Sequence, residues 1–362
     1  MLAKGLFWGS LGALVWTHGL YPPAAAALAR LREREVAKAD IEPTVTVIVP
    51  AHNEESVIER RLENLRALDY PDEKLELVVT SDASSDRTEE LAETAGARVI
   101  RNPRGGKVAA QDRAVRETTG EIVAFSDANA TWAPDALSKL VRNFADPDVA
   151  YVMGRLNYAD ATEGNREGLY WSYETWLRAQ ESKLGSVTGG YGSIYAVRRA
   201  DYVEVDPRFG HDLALPYVMV QRGRRAVYEP EAHAFEKPTP SNETEYRRKV
   251  RMFEHCWLIT LRGRMLRDLP SLYRLQIVSH RLLRYGSGVL HLVLLGTSLV
   301  LVGEGFWFQF VLAAQVALLA AAAAGMGLAR YYVLITWSTV VSLRNYLRRG
   351  VPATWEPAEG TR

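Results

Sequence analysis

The chain has 362 residues, with 44 lysines and arginines against 43 acids and a formal net charge of +1. That balance lacks the basic excess of a nucleic-acid binder. A single cysteine, Cys256, excludes an intrachain disulfide and a cysteine-built metal site.

Residues 5 to 20 carry no charge. With Tyr21, Pro22, Pro23 and the alanine-rich run to Leu31 they reach the length of about 20 apolar residues that a bilayer crossing needs. A cleaved signal peptide is the rival reading, but no clear cleavage site leads into a cysteine-rich secreted domain. Arg30, Arg32, Arg34 and Lys38 follow this segment, against Lys4 before it. The positive-inside rule then places the following domain in the cytoplasm.

Residues 45 to 50 read as a first strand, apolar on both faces as buried parallel strands are. His52-Asn53-Glu54 is a loop, and 55 to 68 carries leucines and isoleucine at helical spacing. Residues 75 to 80 form a second strand that ends in Asp82 and Asp86. A helix over 88 to 95 and a short strand over 97 to 100 come next. Arg104-Gly105-Gly106-Lys107 is a flexible basic loop before a helix over 108 to 117. It is not a Walker loop, lacking the spacing and the Ser or Thr after the lysine. The run Ile122 to Phe125 leads into Ser126-Asp127-Ala128-Asn129, and Pro134 opens a further helical pattern. Strands alternating with helices imply an α/β fold with a mostly parallel, Rossmann-like sheet.

Beyond residue 150 the pattern loosens. A strand is expected over 149 to 153, then a helix over 167 to 182 rich in aromatics (Tyr170, Trp171, Tyr173, Trp176). The loop Thr188-Gly189-Gly190-Tyr191-Gly192, a strand over 193 to 197 and a helix opening at His211-Asp212 follow. A short strand over 226 to 228 closes this part. From Glu243 the chain is basic and amphipathic, a character that places helices in the membrane interface. Residues 286 to 302 and 306 to 328 are apolar enough to span. Residues 331 to 343 end in Arg344, Arg348 and Arg349 and read as interfacial, with a cytoplasmic C-terminus.

Acidic side chains thus recur at strand ends along one sheet edge, where open α/β sheets bind ligands. Asp127 and Asn129, two apart, can reach one hard divalent cation, Mg2+ or Mn2+, together with substrate phosphates. Asn129 makes a weaker ligand there than an acid. Asp82 is placed to hydrogen-bond a base or ribose, Lys107 to touch a phosphate, and Asp212 to act as general base. Simpler readings compete at several positions. Asp86 fits an N-cap for the helix near Thr88, Glu54 a helix-end partner, and His52 a loop hydrogen-bonder. The Arg247 to Arg251 cluster fits a lipid-headgroup surface.

Pro50-Ala51-His52-Asn53-Glu54, Asp82 within Ser-Asp-Ala-Ser-Ser-Asp86, Gly106-Lys107, Asp127-Ala128-Asn129 and Asp212, in that order, resemble the motifs of family 2 glycosyltransferases. The closest likeness is to membrane-bound bacterial members that build polysaccharides or glycolipids of the cell envelope. It covers about residues 44 to 265 and extends to Trp355-Glu356-Pro357.

The resemblance implies a GT-A nucleotide-sugar-binding fold and an inverting, metal-dependent transfer. The donor is a nucleotide-diphosphate sugar, with uridine the implied base, and the acceptor is lipid-linked or a saccharide. Pro50, Ala51, Asn53, Glu54, Asp82, Lys107, Asp127, Arg248 and Arg251 would hold the donor, and Asp127 with Asn129 the metal. Asp212 would be the base. Gly189, Gly190, Tyr191, Gly192 and His211 would face the acceptor. His211 stands where this group usually has glutamate. Met252 stands where processive members have tryptophan after the second arginine, which speaks against chain polymerisation.

The expected division is an N-terminal membrane segment with basic linker (1–40), a cytosolic catalytic domain (41–242), interfacial helices (243–285) and a membrane region (286–362). That organisation implies an inner-membrane location with the bilayer as a partner. The competing reading is a non-catalytic membrane scaffold that retains the nucleotide-sugar-binding fold.

Overall fold

The computed structural model describes residues 1–158, 166–237 and 242–354. The chain opens with helix α1 (Leu2–Val15), a π-helical stretch (Trp16–Leu20) and α2 (Tyr21–Leu31). The α/β part then runs β1 (Val45–Ala51), α3 (Ile58–Arg66), β2 (Leu75–Asp82), α4 (Thr88–Thr94), β3 (Arg98–Asn102), α5 (Lys107–Glu117), β4 (Ile122–Phe125), β5 (Thr131–Trp132) and α6 (Ala136–Val141). It continues through β6 (Val149–Tyr158), α7 (Arg166–Lys183), β7 (Tyr195–Arg198), α8 (His211–Gln221) and β8 (Arg225–Glu236).

One sheet holds all eight strands, in the order β3-β2-β1-β4-β7-β6-β8-β5. Its first half is parallel: β1 pairs with β2 and β4, and β2 with β3. Beyond β4 it is mixed, because β7 runs antiparallel to both its neighbours and β5 antiparallel to β8, while β6 and β8 are parallel. The expectation of a mostly parallel sheet therefore holds for only half of it. The connection from β6 to β7 contains α7, yet β7 comes back antiparallel, so a helix between two strands does not by itself fix their relative direction.

Every residue of β1 and β4 is buried, in keeping with their mostly apolar runs. α3 and α6 cover one face of the sheet through Leu62, Leu65, Leu137 and Leu140. α5 and α8 cover the other through Ala114, Val115, Leu215 and Met219. Each such fully buried leucine stabilises the fold by about 1.5–3 kcal/mol of transfer free energy.

Two strands are longer than their sequence pattern. β6 and β8 extend to Tyr158 and Glu236, with a register shift between Met153 and Arg155 that lets Pro230 sit at a bulge.

After the sheet come α9 (Asn242–Arg262), α10 (Ser271–Gln276), a second π-helical stretch (Ile277–Leu282), α11 (Leu283–Tyr285), α12 (Ser287–Leu301), α13 (Phe306–Ala323) and α14 (Gly327–Arg349). Ser287–Glu304 and Phe306–Ala323 are long and apolar enough to cross a membrane. α1 packs on α12 and α13 through Phe7, Leu14, Leu294 and Phe308. The N-terminal segment and the late hydrophobic helices thus form one bundle.

Candidate active site

β4 stops at Phe125, and Ser126 to Asn129 turn out over the carboxyl edge of the sheet. This turn is held from below. Arg61, almost fully buried on α3, donates to the Ser126 hydroxyl at 2.7 Å and lies 5.0 Å over the Trp132 ring. Trp132 in turn donates from its indole to the Ser193 carbonyl, 2.8 Å. The strand end is thereby fixed on both sides.

A cleft of 350 Å³ opens above it. Pro50, Glu54, Lys107, Asp127, Asn129, Gly192, Asp212, Glu236, Arg248, Arg251 and Met252 all reach its wall. Lys107, the first residue of α5, closes an ion pair on the Asp127 carboxylate. Burial alone would depress the Lys107 ammonium, but Asp127, Asp212 and Glu236 outweigh it and hold it above the ordinary lysine value. Gly192 approaches this pair closely: a Cβ there would stand 3.0 Å from Lys107 Nζ and 3.4 Å from Asp127 Oδ2.

Asp212 is the second residue of α8, so its carboxylate faces the helix N-terminus. Burial lifts this carboxyl above the usual aspartate range; Lys107 pulls it back, and the Asp127 charge raises it further. A base held partly against ionisation gains proton affinity. The Gly190 amide donates to the Asp212 carbonyl at 2.6 Å, tying the Gly189–Gly192 loop to the start of α8.

Asp127 and Asp212 share the cleft, but Asp82 does not line it. Its buried carboxylate accepts from Arg104 (2.6 Å) and from the amides of Gly105 (2.7 Å) and Gly106 (3.0 Å). In this structure it anchors the glycine loop from which Lys107 projects.

His211 also differs from expectation. It is buried behind the cleft, its Nδ1 3.2 Å from the Tyr195 hydroxyl and its Nε2 3.2 Å from Asp112 and from the Tyr202 hydroxyl. Successive helix residues point about 100° apart, so Asp212 and His211 cannot both face one space.

Asn53, with φ of 56°, accepts from the Ser85 amide at 2.8 Å and holds two loops together. His52 Nδ1 donates to the Asp82 carbonyl, 2.8 Å. Asp86 accepts from the Thr88 and Glu55 amides just ahead of α4, whose N-cap position is held by Arg87 rather than by Asp86 itself. Burial opposes these bonds, but they win and hold its carboxyl below the usual range. Ala51 is buried at the end of β1. Arg248 bonds Glu245 at 2.8 Å while reaching the cleft. The side chains of Tyr170 and Trp171, and all of Trp355-Glu356-Pro357, lie outside the described residues.

Sequence reasoning missed Glu236. It ends β8 in the cleft, and burial followed by the Asp127 charge pushes its carboxyl up to about 7. Among the described residues no three His, Cys, Asp or Glu side chains cluster closely enough to hold a metal by themselves. The cleft instead offers Asp127, Asn129 and Glu236, all hard oxygen donors. One or two carboxylates completed by substrate phosphates is the donor set that suits Mg2+ or Mn2+.

The model of glycosyl transferase family 2 matches residues 46–205, from β1 through β7. The chain carries a glycosyl transferase family 2 domain. Its architecture is the GT-A fold. The mannosyltransferase of Pyrobaculum calidifontis, solved with GDP-mannose and Mn2+, superposes with a TM-score of 0.73 over 96% of this chain and 98% of that one, at 23% identity. Among curated proteins, the chain is 33% identical over 209 residues to β-monoglucosyldiacylglycerol synthase of Trichormus variabilis, covering 53% of this chain and 44% of that protein. It is 31% identical over 261 residues to an N-acetylglucosaminyltransferase of Sinorhizobium fredii, covering 64% and 61%. The chain spans about half the length of the curated relatives it matches. The matched segment contains the glycine loop, Asp127, Asn129 and the Gly189–Gly192 loop, and stops before Asp212 and Glu236.

Proposed function

We propose that this protein is an inverting glycosyltransferase that moves a sugar from a nucleotide-diphosphate donor, with uridine the expected base, to a lipid-linked or saccharide acceptor at a membrane. The observation that carries this reading is the meeting of Asp127, Lys107 and Asp212 on one cleft. The donor diphosphate lies against Lys107, Arg248 and Arg251, whose charges neutralise it. Asp127, Asn129 and Glu236 would hold a divalent cation, which when bound would supply Lewis-acid stabilisation of the diphosphate. Lys107, beside Asp127, is placed to meet the phosphates as well.

Asp212 sits across the cleft. It accepts the proton of the acceptor hydroxyl as that oxygen bonds to the anomeric carbon and the bond to the diphosphate breaks. Attack from the face opposite the leaving group inverts the configuration. Asp82 acts by holding the glycine loop in place around the donor.

The bundle of α1, α12, α13 and α14 anchors the domain in the inner membrane, with the α/β part on the cytoplasmic side. The mannosyltransferase's GDP-mannose and Mn2+ and the curated relatives' diacylglycerol and N-acetylglucosamine chemistry support the class of reaction. The deciding experiment incubates the purified chain with radiolabelled UDP-glucose, UDP-N-acetylglucosamine and GDP-mannose, with membranes, with and without Mn2+. Cation-dependent label in the lipid or saccharide fraction, lost in Asp212→Asn, supports the reading. Nucleotide binding with no turnover of any donor would favour the scaffold instead.

A further inference from the structure

A second cavity, of 680 Å³, leads from the candidate base toward the hydrophobic helices. It begins at Asp127, Gly192, Asp212 and Glu236 and runs past Arg178, Arg281 and Tyr285 to α14. There Tyr332 and Thr336 line it. The same two residues line a third cavity of 280 Å³, walled by Leu292, Leu295 and Leu318 between α12, α13 and α14. A charged chamber and an apolar chamber therefore meet at one seam on α14, between the base and the region expected to be membrane.

The charged chamber has a built floor. Arg178 on α7 and Arg281 on the second π-helical stretch are each only 5% exposed, yet both border the cavity. They close on the same glycine loop. Arg178 donates to the Gly190 carbonyl at 3.1 Å and stacks 4.3 Å over the Tyr191 ring. Arg281 donates to the Thr188 carbonyl and hydroxyl at 3.2 and 3.0 Å. Gly189 makes room for it, since a Cβ there would lie 2.6 Å from Arg281 Nη2. Gly190 is bonded in turn to Asp212. Two guanidiniums are thus fixed beside the base in a desolvated space, where charges act strongly. Guanidinium forks match a phosphate better than any other side chain does.

Resting on the reading above, we infer that the acceptor is a phospholipid. Its headgroup phosphate sits on Arg178 and Arg281, its headgroup hydroxyl faces Asp212, and its acyl chains leave through the Tyr332–Thr336 seam into the space between α12, α13 and α14. The hydroxyl oxygen forms the bond to the anomeric carbon, its proton passes to Asp212, and the nucleoside diphosphate departs with the electron pair. The cavity ends among apolar helices, so a growing polysaccharide has no polar path along it.

The test uses the full chain in phosphatidylcholine vesicles doped with phosphatidylglycerol, or with diacylglycerol of the same acyl chains, and the radiolabelled donor that it turns over. Both lipids offer a primary hydroxyl, but only the first has a phosphate. Transfer to phosphatidylglycerol at least about tenfold faster than to diacylglycerol is expected. In Arg178→Gln and in Arg281→Gln the ratio of lipid transfer to donor hydrolysis is expected to fall about tenfold, with partial recovery in Arg178→Lys. Should the buried arginine variants fail to fold, Thr336→Phe, which narrows the seam, is expected to lower the same ratio. Equal use of both lipids, transfer to polyprenyl phosphate in place of either, or a ratio unchanged in these variants would overturn the inference. Donor hydrolysis without any lipid product would also overturn it while leaving the glycosyltransferase reading intact. Absence of both hydrolysis and transfer would overturn that reading itself.

Discussion

The amide of Gly190 and the carbonyl of Asp212 are 2.6 Å apart, so the loop that borders the deep cavity and the helix that carries the candidate base are one hydrogen-bonded unit. Tyr151, fully buried on β6, packs its hydroxyl against the same glycine, where any Cβ would collide with it. Gly190→Ala is therefore expected to destabilise the fold by about 2 kcal/mol, the scale of an overpacked core. It is also expected to shift Asp212 from the cleft. A thermal unfolding scan beside a transfer assay checks both, and a variant with wild-type stability and rate would contradict the packing argument.

Asp212→Asn keeps the shape of the side chain and removes its basicity. Transfer is expected to drop by about 10²–10⁴, the range for loss of a general base. Nucleotide affinity, read by calorimetry, is expected to change little, because the donor's charges meet Lys107 and the arginines instead.

The pH profile follows from the same carboxyl. A base must be ionised to accept a proton, so the rate rises with pH through the value at which Asp212 loses its own. That value lies above the ordinary aspartate range because of burial, with Lys107 opposing and Asp127 adding to it. Lys107→Met removes the opposing charge, and the acidic limb of kcat/KM is expected to move to higher pH. A limb that stayed in place would show that the ammonium does not act on Asp212.

Cation binding is expected to depend on pH through Glu236, whose carboxyl is pushed up to about 7. Below that value a proton must leave before the oxygen can ligate, so Mn2+ affinity should weaken by up to about tenfold per pH unit. Electron paramagnetic resonance of free Mn2+, in the presence of nucleoside diphosphate, measures it between pH 6 and 8. Glu236→Gln is expected to weaken binding at pH 8 and to flatten the dependence.

Asp82→Asn tests the anchoring of the glycine loop. The carboxylate accepts from one guanidinium and two backbone amides. Charge-assisted bonds of this kind contribute about 1.5–3 kcal/mol. A lowered melting temperature and faster amide exchange at Gly105 and Gly106 are expected. Unchanged exchange with lost nucleotide affinity would instead make Asp82 a direct ligand contact.

Much of the cleft was legible before any coordinates. β1, β2 and β4 are mostly apolar and lead into polar loops at the carboxyl edge of a parallel sheet, so Asp127 and Lys107 could be brought together on paper. Asp212 was legible as the start of a helix. Glu236 was not, because the apolar run of β8 breaks at Glu229-Pro230-Glu231 and the strand resumes only past a bulge. His211, which the resemblance put on the acceptor side, is buried behind the cleft, because adjacent helix residues face different ways. Arg281 lies in a run of basic residues that reads as a lipid-facing surface, yet it is buried against Thr188. Charge alone does not reveal that a helix turns its arginines inward. That depends on which partner carbonyls the tertiary structure supplies.

Gly106 lacks a side chain, and the carbonyl of Ala353, just past the end of α14, occupies the room a Cβ would need. The two chain segments touch although almost 250 positions of sequence separate them. A tilt of the last helix would therefore press directly on the loop clamped on Asp82, coupling the far end of the chain to the rim of the cleft.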